Sequence, residues 1–241
     1  MSFHKLEKYV SNPTQLQDLK YKQPILVSDS KGFTLKNNYH GKFPVECWCQ
    51  PGATTKLLVD QIETHIEPAL RYHKNIVFYL WSGTCDITQK SGKFISLKNP
   101  DSEQVVNNLV KHFARAYEVV KCYSPWATLK IIDCPLLSIS QWNGSKGHEN
   151  PDQFKDEDKL ATEQITLLNT EIQKLNEVNS HNTIKISRFY FRSRKVKGKS
   201  SRHSVNLALN YDGIHPGNLL SLATIRDLFE DVQKECYSLT G

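Results

Sequence analysis

The sequence predicts an α/β fold of three layers, α/β/α, around a mostly parallel sheet of five strands. Five short runs rich in β-branched and aromatic residues (24–28, 45–49, 75–81, 128–134 and 183–191) alternate with longer stretches of helical period (about 54–72, 102–122, 156–178 and 216–237). Strands that alternate with helices are joined by right-handed crossovers, which make the strands parallel and cover both faces of the sheet.

The elements follow in order. The first run, Pro24 to Ser28, is apolar until its last residue, and the second carries Cys47-Trp48-Cys49. Ile76 to Trp81 is the most apolar run and is strand-sized. In the helix after it, Val105, Leu109, His112, Phe113, Ala116 and Val120 recur at three- and four-residue spacing. Ile165, Leu168, Ile172, Leu175 and Val178 repeat the pattern in the next helix. Both stripes are expected to be core without chemistry. The stretch 140–148 is polar and is expected to be a loop, either a lid over a site or a solvated connection. Pro216 suits the first turn of the last helix.

A chain of 241 residues with 39% hydrophobic residues and no Pro/Gly/Ser-rich linker is expected to form one domain over 1–241, with residues 1–20 as an N-terminal extension. The start, Met1 to Lys8, has no signal-peptide apolar run, and no uncharged apolar stretch reaches the roughly 18 residues of a membrane span. A soluble, cytoplasmic protein is expected. Six cysteines spread through apolar segments suit reduced thiols. The one close pair, Cys47 and Cys49, is expected to point to opposite faces of its strand, and no metal site is expected.

In an open parallel sheet the functional crevice lies at the carboxyl ends of the strands. Those ends carry Ser28-Asp29-Ser30-Lys31-Gly32, Gln50-Pro51-Gly52-Ala53-Thr54 and Ser82-Gly83-Thr84-Cys85-Asp86, and near the C-terminus stands Tyr211-Asp212-Gly213-Ile214-His215-Pro216. Serine becomes a nucleophile when a neighbouring base takes its proton, and histidine titrates in the right range to do so. Its other ring nitrogen needs an acceptor to hold the tautomer. Asp212 and His215 can supply that pair on one turn, and Ser30 lies where a strand-to-helix turn exposes its hydroxyl. Ser28 falls inside the strand, and Asp29 is expected to bond backbone donors of the turn. Equally, Asp212 can be a helix cap or Asx-turn, His215 a half-buried polar residue, and Gly52 an ordinary turn glycine.

The four blocks, in this order, resemble those of the SGNH (GDSL-like) hydrolases: a GDS-like serine, an isolated glycine, a GxND segment and a DxxH segment. The likeness runs from residue 24 to about 220. It implies a flavodoxin-like three-layer fold and an esterase whose triad is Ser30, His215 and Asp212, with no metal or organic cofactor. The backbone N–H groups of Ser30 and Gly52 would form the oxyanion hole. Cys85 stands where the family has the asparagine that is the third donor. A thiol donates weakly, and losing such a donor costs about 2.7–4 kcal/mol, so the resemblance implies a slow enzyme unless Thr84 or another loop supplies the bond. Trp81, Trp142 and Asn143 are candidates to line the pocket for a small ester or acylated substrate.

A second reading rests on charge. The net charge is +6, and residues 185–202 hold Lys185, Arg188, Arg192, Arg194, Lys195, Lys197, Lys199 and Arg202 with no acidic residue, interleaved with Phe189, Tyr190 and Phe191. This is either a solvated loop or a contact for a nucleic-acid backbone in a fold with little or no catalysis.

Overall fold

The computed structural model describes residues 1–11, 21–196 and 199–237, the side chains of 193–203 excepted. In chain order the elements are α1 (Phe3–Val10), β1 (Gln23–Ser28), α2 (Ser30–Asn38), β2 (Glu46–Cys49), α3 (Thr55–His73), β3 (Ile76–Trp81), α4 (Thr84–Ile87), β4 (Thr88–Ser91), β5 (Phe94–Leu97), α5 (Ser102–Lys121), β6 (Ala127–Ile131), α6 (Ile139–Ser145), α7 (Lys155–Val178), β7 (Phe191–Val196), β8 (Lys199–Val205) and α8 (Asn218–Cys236).

Four strands form a parallel sheet in the order β2-β1-β3-β6. The central strands β1 and β3 are buried along their whole length, as continuous apolar runs must be when helices cover both faces. α3 packs on α5 and α5 on α7, while α1 and α2 pack on α8, giving two helical groups around the sheet. Side chains close the helix starts: Asp29, Thr54 and Asp101 each accept a backbone N–H from the first turn of the helix that follows. Among the described residues no helix is long and apolar enough to cross a membrane.

Among the described residues the sheet has four strands where five were expected, and the reason lies at Asp133. Beyond β6 the Asp133 N–H donates to Ile184 O at 3.2 Å, which begins a pairing. The next N–H groups of the incoming segment, of Ile186 and Ser187, instead donate to the Asp133 carboxylate at 2.6 and 3.1 Å. A side chain has taken the bonds that a ladder needs. The chain turns through a short 3-10 helix at Ser187–Phe189 and enters the antiparallel hairpin β7–β8.

Two further expectations need correction, those for 140–148 and for the Cys47 and Cys49 pair. The polar stretch 140–148 is largely helix α6, because Ser138 Oγ accepts the Gln141 N–H at 3.1 Å and the Asp158 carboxylate accepts those of Ile139 and Ser140. These are the N-terminal donors that would otherwise be unpaired. The N-terminal extension begins with α1, whose Leu6 is fully buried and whose Tyr9 hydroxyl donates to Asp227 of α8 at 2.5 Å; residues 12–20 lie outside the described residues. Finally, Cys47 and Cys49 share one face of β2. Residues two apart on a pleated strand point the same way.

Candidate active site

β1 delivers its last residue, Ser28, into the core, where Ser28 Oγ donates to Trp81 O at 2.9 Å. Asp29 then caps α2, accepting the Lys31 N–H at 2.9 Å. Ser30, the first residue of α2, therefore sits at the carboxyl edge of the sheet. Its Oγ lies 2.8 Å from Nε2 of His215, and His215 Nδ1 lies 2.7 Å from Asp212 Oδ2. The three side chains, two of them more than 180 residues beyond the first, stand in hydrogen-bonded sequence.

The Asp212–His215 turn is built locally. Asp212 Oδ1 accepts the backbone N–H groups of Ile214 at 3.0 Å and His215 at 2.8 Å, so the Asx-turn and the bond to the imidazole use different oxygens of one carboxylate. Burial pushes the Asp212 carboxyl up, but the bonds from the His215 ring and the two backbone donors outweigh it and hold it below its ordinary value. An ionised Asp212 can only accept, which assigns the proton to Nδ1 and leaves Nε2 free to accept from Ser30. Gly213 has φ of 98°, and a Cβ there would stand 2.5 Å from Ser138 O and 2.7 Å from Trp142 N. Only glycine lets this turn press against the start of α6. Pro216 precedes Gly217, the cap of α8, so it lies just outside the helix.

Aromatic rings flank the imidazole. Tyr211, 64% exposed, stacks on His215 at 5.7 Å between centroids, and Trp142 of α6 lies 5.9 Å away on a tilted plane. Trp142 is pinned by its N–H to Lys93 O at 3.1 Å and carries Lys146 Nζ 4.4 Å from its ring.

Gly52 occupies the exposed turn after β2, with φ of 75° and an Ala53 N–H···O Gln50 bond of 3.1 Å closing the turn. Cys85 lies in α4. Its thiol donates to Asp29 Oδ2 at 3.7 Å, and burial, with Asp29 beside it, pushes its pKa up to about 11. The neighbouring Thr84 hydroxyl accepts from Lys31 Nζ at 2.7 Å and donates to Asp29 Oδ2 at 3.1 Å. A hydroxyl has one hydrogen, so the Thr84 side chain has no donor left for an oxyanion.

Lys31 escaped the sequence reading. It is fully buried, ion-paired with Asp29 and 5.6 Å from the Trp81 ring. Burial works against its charge, but the Asp29 carboxylate wins and holds it above the usual lysine pKa. The signal available was opposite charges two residues apart around Ser30.

Other candidates are placed elsewhere. Trp81 is fully buried, its indole N–H donating to Asp133 O at 3.2 Å. Asn143 is fully buried too, and its amide mimics a strand, bonding Ile95 N at 2.9 Å and Ile95 O at 2.8 Å. Neither has surface left for a substrate. In the basic segment Arg188 pairs with Asp227 at 2.8 Å, and Arg192 Nε donates to Met1 O at 3.3 Å. The side chains of Arg194 and Lys195, and all of Lys197, lie outside the described residues.

Solved hydrolases share this architecture. A GDSL-like lipase from Bacteroides thetaiotaomicron superposes with a TM-score of 0.59 over 97% of this chain and 99% of its own, at 13% identity. This chain has a fold similar to that of this lipase. An acetyl xylan esterase superposes with a TM-score of 0.51 over 87% of this chain and 99% of its own, at 12% identity. At such identities the likeness concerns the fold. No family model matches the sequence, and neither does any curated protein.

Proposed function

We propose that the protein is a serine hydrolase that cleaves a small carboxylic ester. The observation that carries the reading is the continuous chain of contacts from Ser30 Oγ to His215 Nε2 at 2.8 Å and from His215 Nδ1 to Asp212 at 2.7 Å. Ser30 Oγ attacks the ester carbonyl while His215 takes its proton; the imidazolium is then stabilised by Asp212 and returns the proton to the leaving alcohol. Water repeats the sequence on the acyl-enzyme. Backbone N–H groups of Ser30 and Gly52 receive the negative charge of the tetrahedral intermediate. Thr84 and Cys85 direct their hydrogens at Asp29 instead, so turnover is slow.

A fluorophosphonate probe tests this. Ser30 is expected to take the label in the wild type and not in His215→Ala, and Ser30→Ala is expected to fold normally without hydrolysing short aryl esters. Label on Ser28, or full activity in Ser30→Ala, would overturn the assignment.

A further inference from the structure

Cys47 and Cys49 lie on β2 at the edge of the sheet, facing the same way and partly buried. The two thiols are near enough to shift each other's pKa, and the Cys47 thiol is directed at Val45 O at 3.6 Å. We propose that these two residues form a reversible disulfide, a redox-modified site that controls the geometry around Ser30. The second half of this proposal rests on the hydrolase reading; the first does not.

The electrostatics of the pair favour the chemistry. The neighbouring Cys49 thiol outweighs burial and, with the Lys36 ammonium nearby, draws the Cys47 thiol below its ordinary pKa, whereas Cys47 and burial drive Cys49 far up. Cys47 is thus the attacking sulfur and Cys49 the resolving one. With a hydroperoxide as oxidant, Cys47 sulfur attacks the O–O bond, and with hydrogen peroxide it becomes a sulfenic acid with release of one water. Cys49 sulfur then bonds to Cys47 sulfur and displaces a second water. Two thiols and one peroxide become one disulfide and two waters.

The bridge also has a mechanical consequence. An extended strand sets residues two apart at about 6.6 Å between Cα atoms, near the top of the disulfide range of about 4.4–6.8 Å, so closure must pucker β2. An edge strand has one ladder to disturb, here Leu26↔Cys47 and Ser28↔Cys49. The pucker reaches the site by two short routes. Gln50 N–H donates to Ser28 O at 2.9 Å, and Gln50 O accepts the Ala53 N–H in the turn that bears Gly52. Cys49 Sγ also packs on Gly32 so closely that a Cβ there would collide with it, and Gly32 lies in the first turn of the helix that Ser30 begins. A strained, accessible disulfide is readily reduced, which makes the change reversible.

The experiment uses the full chain with Cys122→Ser, removing the exposed thiol. Hydrogen peroxide is expected to produce a Cys47–Cys49 disulfide, seen as a loss of two hydrogens in the peptide that holds both residues and reversed by dithiothreitol. Cys49→Ser is expected to leave Cys47 as a sulfenic acid that a dimedone probe captures, and Cys47→Ser to leave Cys49 unmodified. Fluorophosphonate labelling of Ser30 is expected to fall about a hundredfold on oxidation, the usual scale for displacing a catalytic group by about 1 Å, and to recover on reduction. A disulfide elsewhere, or dimedone on Cys49 in Cys47→Ser, would sink the redox site. A mapped disulfide with labelling unchanged would sink the coupling alone. If neither redox state labels while the disulfide maps, the hydrolase reading fails and the redox site stands.

Discussion

Asp29 and Lys31, the residues on either side of Ser30, form an ion pair buried from solvent. Asp29 is the hub: one oxygen caps α2, and the other takes Lys31, Thr84 and Cys85, so the turn before α2 and the start of α4 are held by one carboxylate.

Lys31→Met should therefore destabilise the protein by about 3–5 kcal/mol, because it strands a buried carboxylate. Adding Asp29→Asn should recover part of that loss. Urea denaturation of the two single variants and the double variant measures the coupling; additive losses would mean that the pair is not a unit.

Cys85→Asn should raise kcat on a simple ester about ten- to a hundredfold, with KM changing less. An amide has two N–H donors, so one can replace the thiol bond to Asp29 and leave the other for the oxyanion. Steady-state kinetics on an aryl acetate decide it. An unchanged kcat with Ser30 still labelled would mean that the donor role is already filled.

Asp133 should leave a mark on stability against pH. Burial pushes its carboxyl up to about 7 against the pull of the Ser187 and Ile186 donors. The folded state then holds a proton that the unfolded chain releases near pH 4, so this group's contribution is largest at low pH and declines as pH rises to about 7. The slope is at most about 1.4 kcal/mol per pH unit. Denaturant midpoints of wild type and Asp133→Asn between pH 4.5 and 7.5 should converge as pH rises; a constant gap would refute the shift.

The legible parts of this protein were the local ones. Period alone located four strands and four helices, because alternation and the three-to-four repeat are written in neighbouring residues. The Asp212–His215 turn was legible for the same reason: three residues suffice to bring a carboxylate to an imidazole. Ser30, just past a strand, is the serine that meets His215, whereas Ser28 lies inside the strand.

What the sequence did not disclose depended on partners far along the chain. The stretch 183–191 has a strand's composition, but the Asp133 carboxylate captures its N–H groups. Residues 140–148 read as a polar loop until Asp158 caps them into α6. Lys31 is an ordinary surface residue by type, and it is buried because Asp29 beside it and Thr84, 53 residues away, satisfy its ammonium. The sequence by itself determined the four strands of the sheet, the four long helices and the residues at the carboxyl ends of those strands. Only the tertiary structure decided which polar groups found each other, because a buried charge or N–H is stable only beside its partner, and those partners meet after the chain has folded.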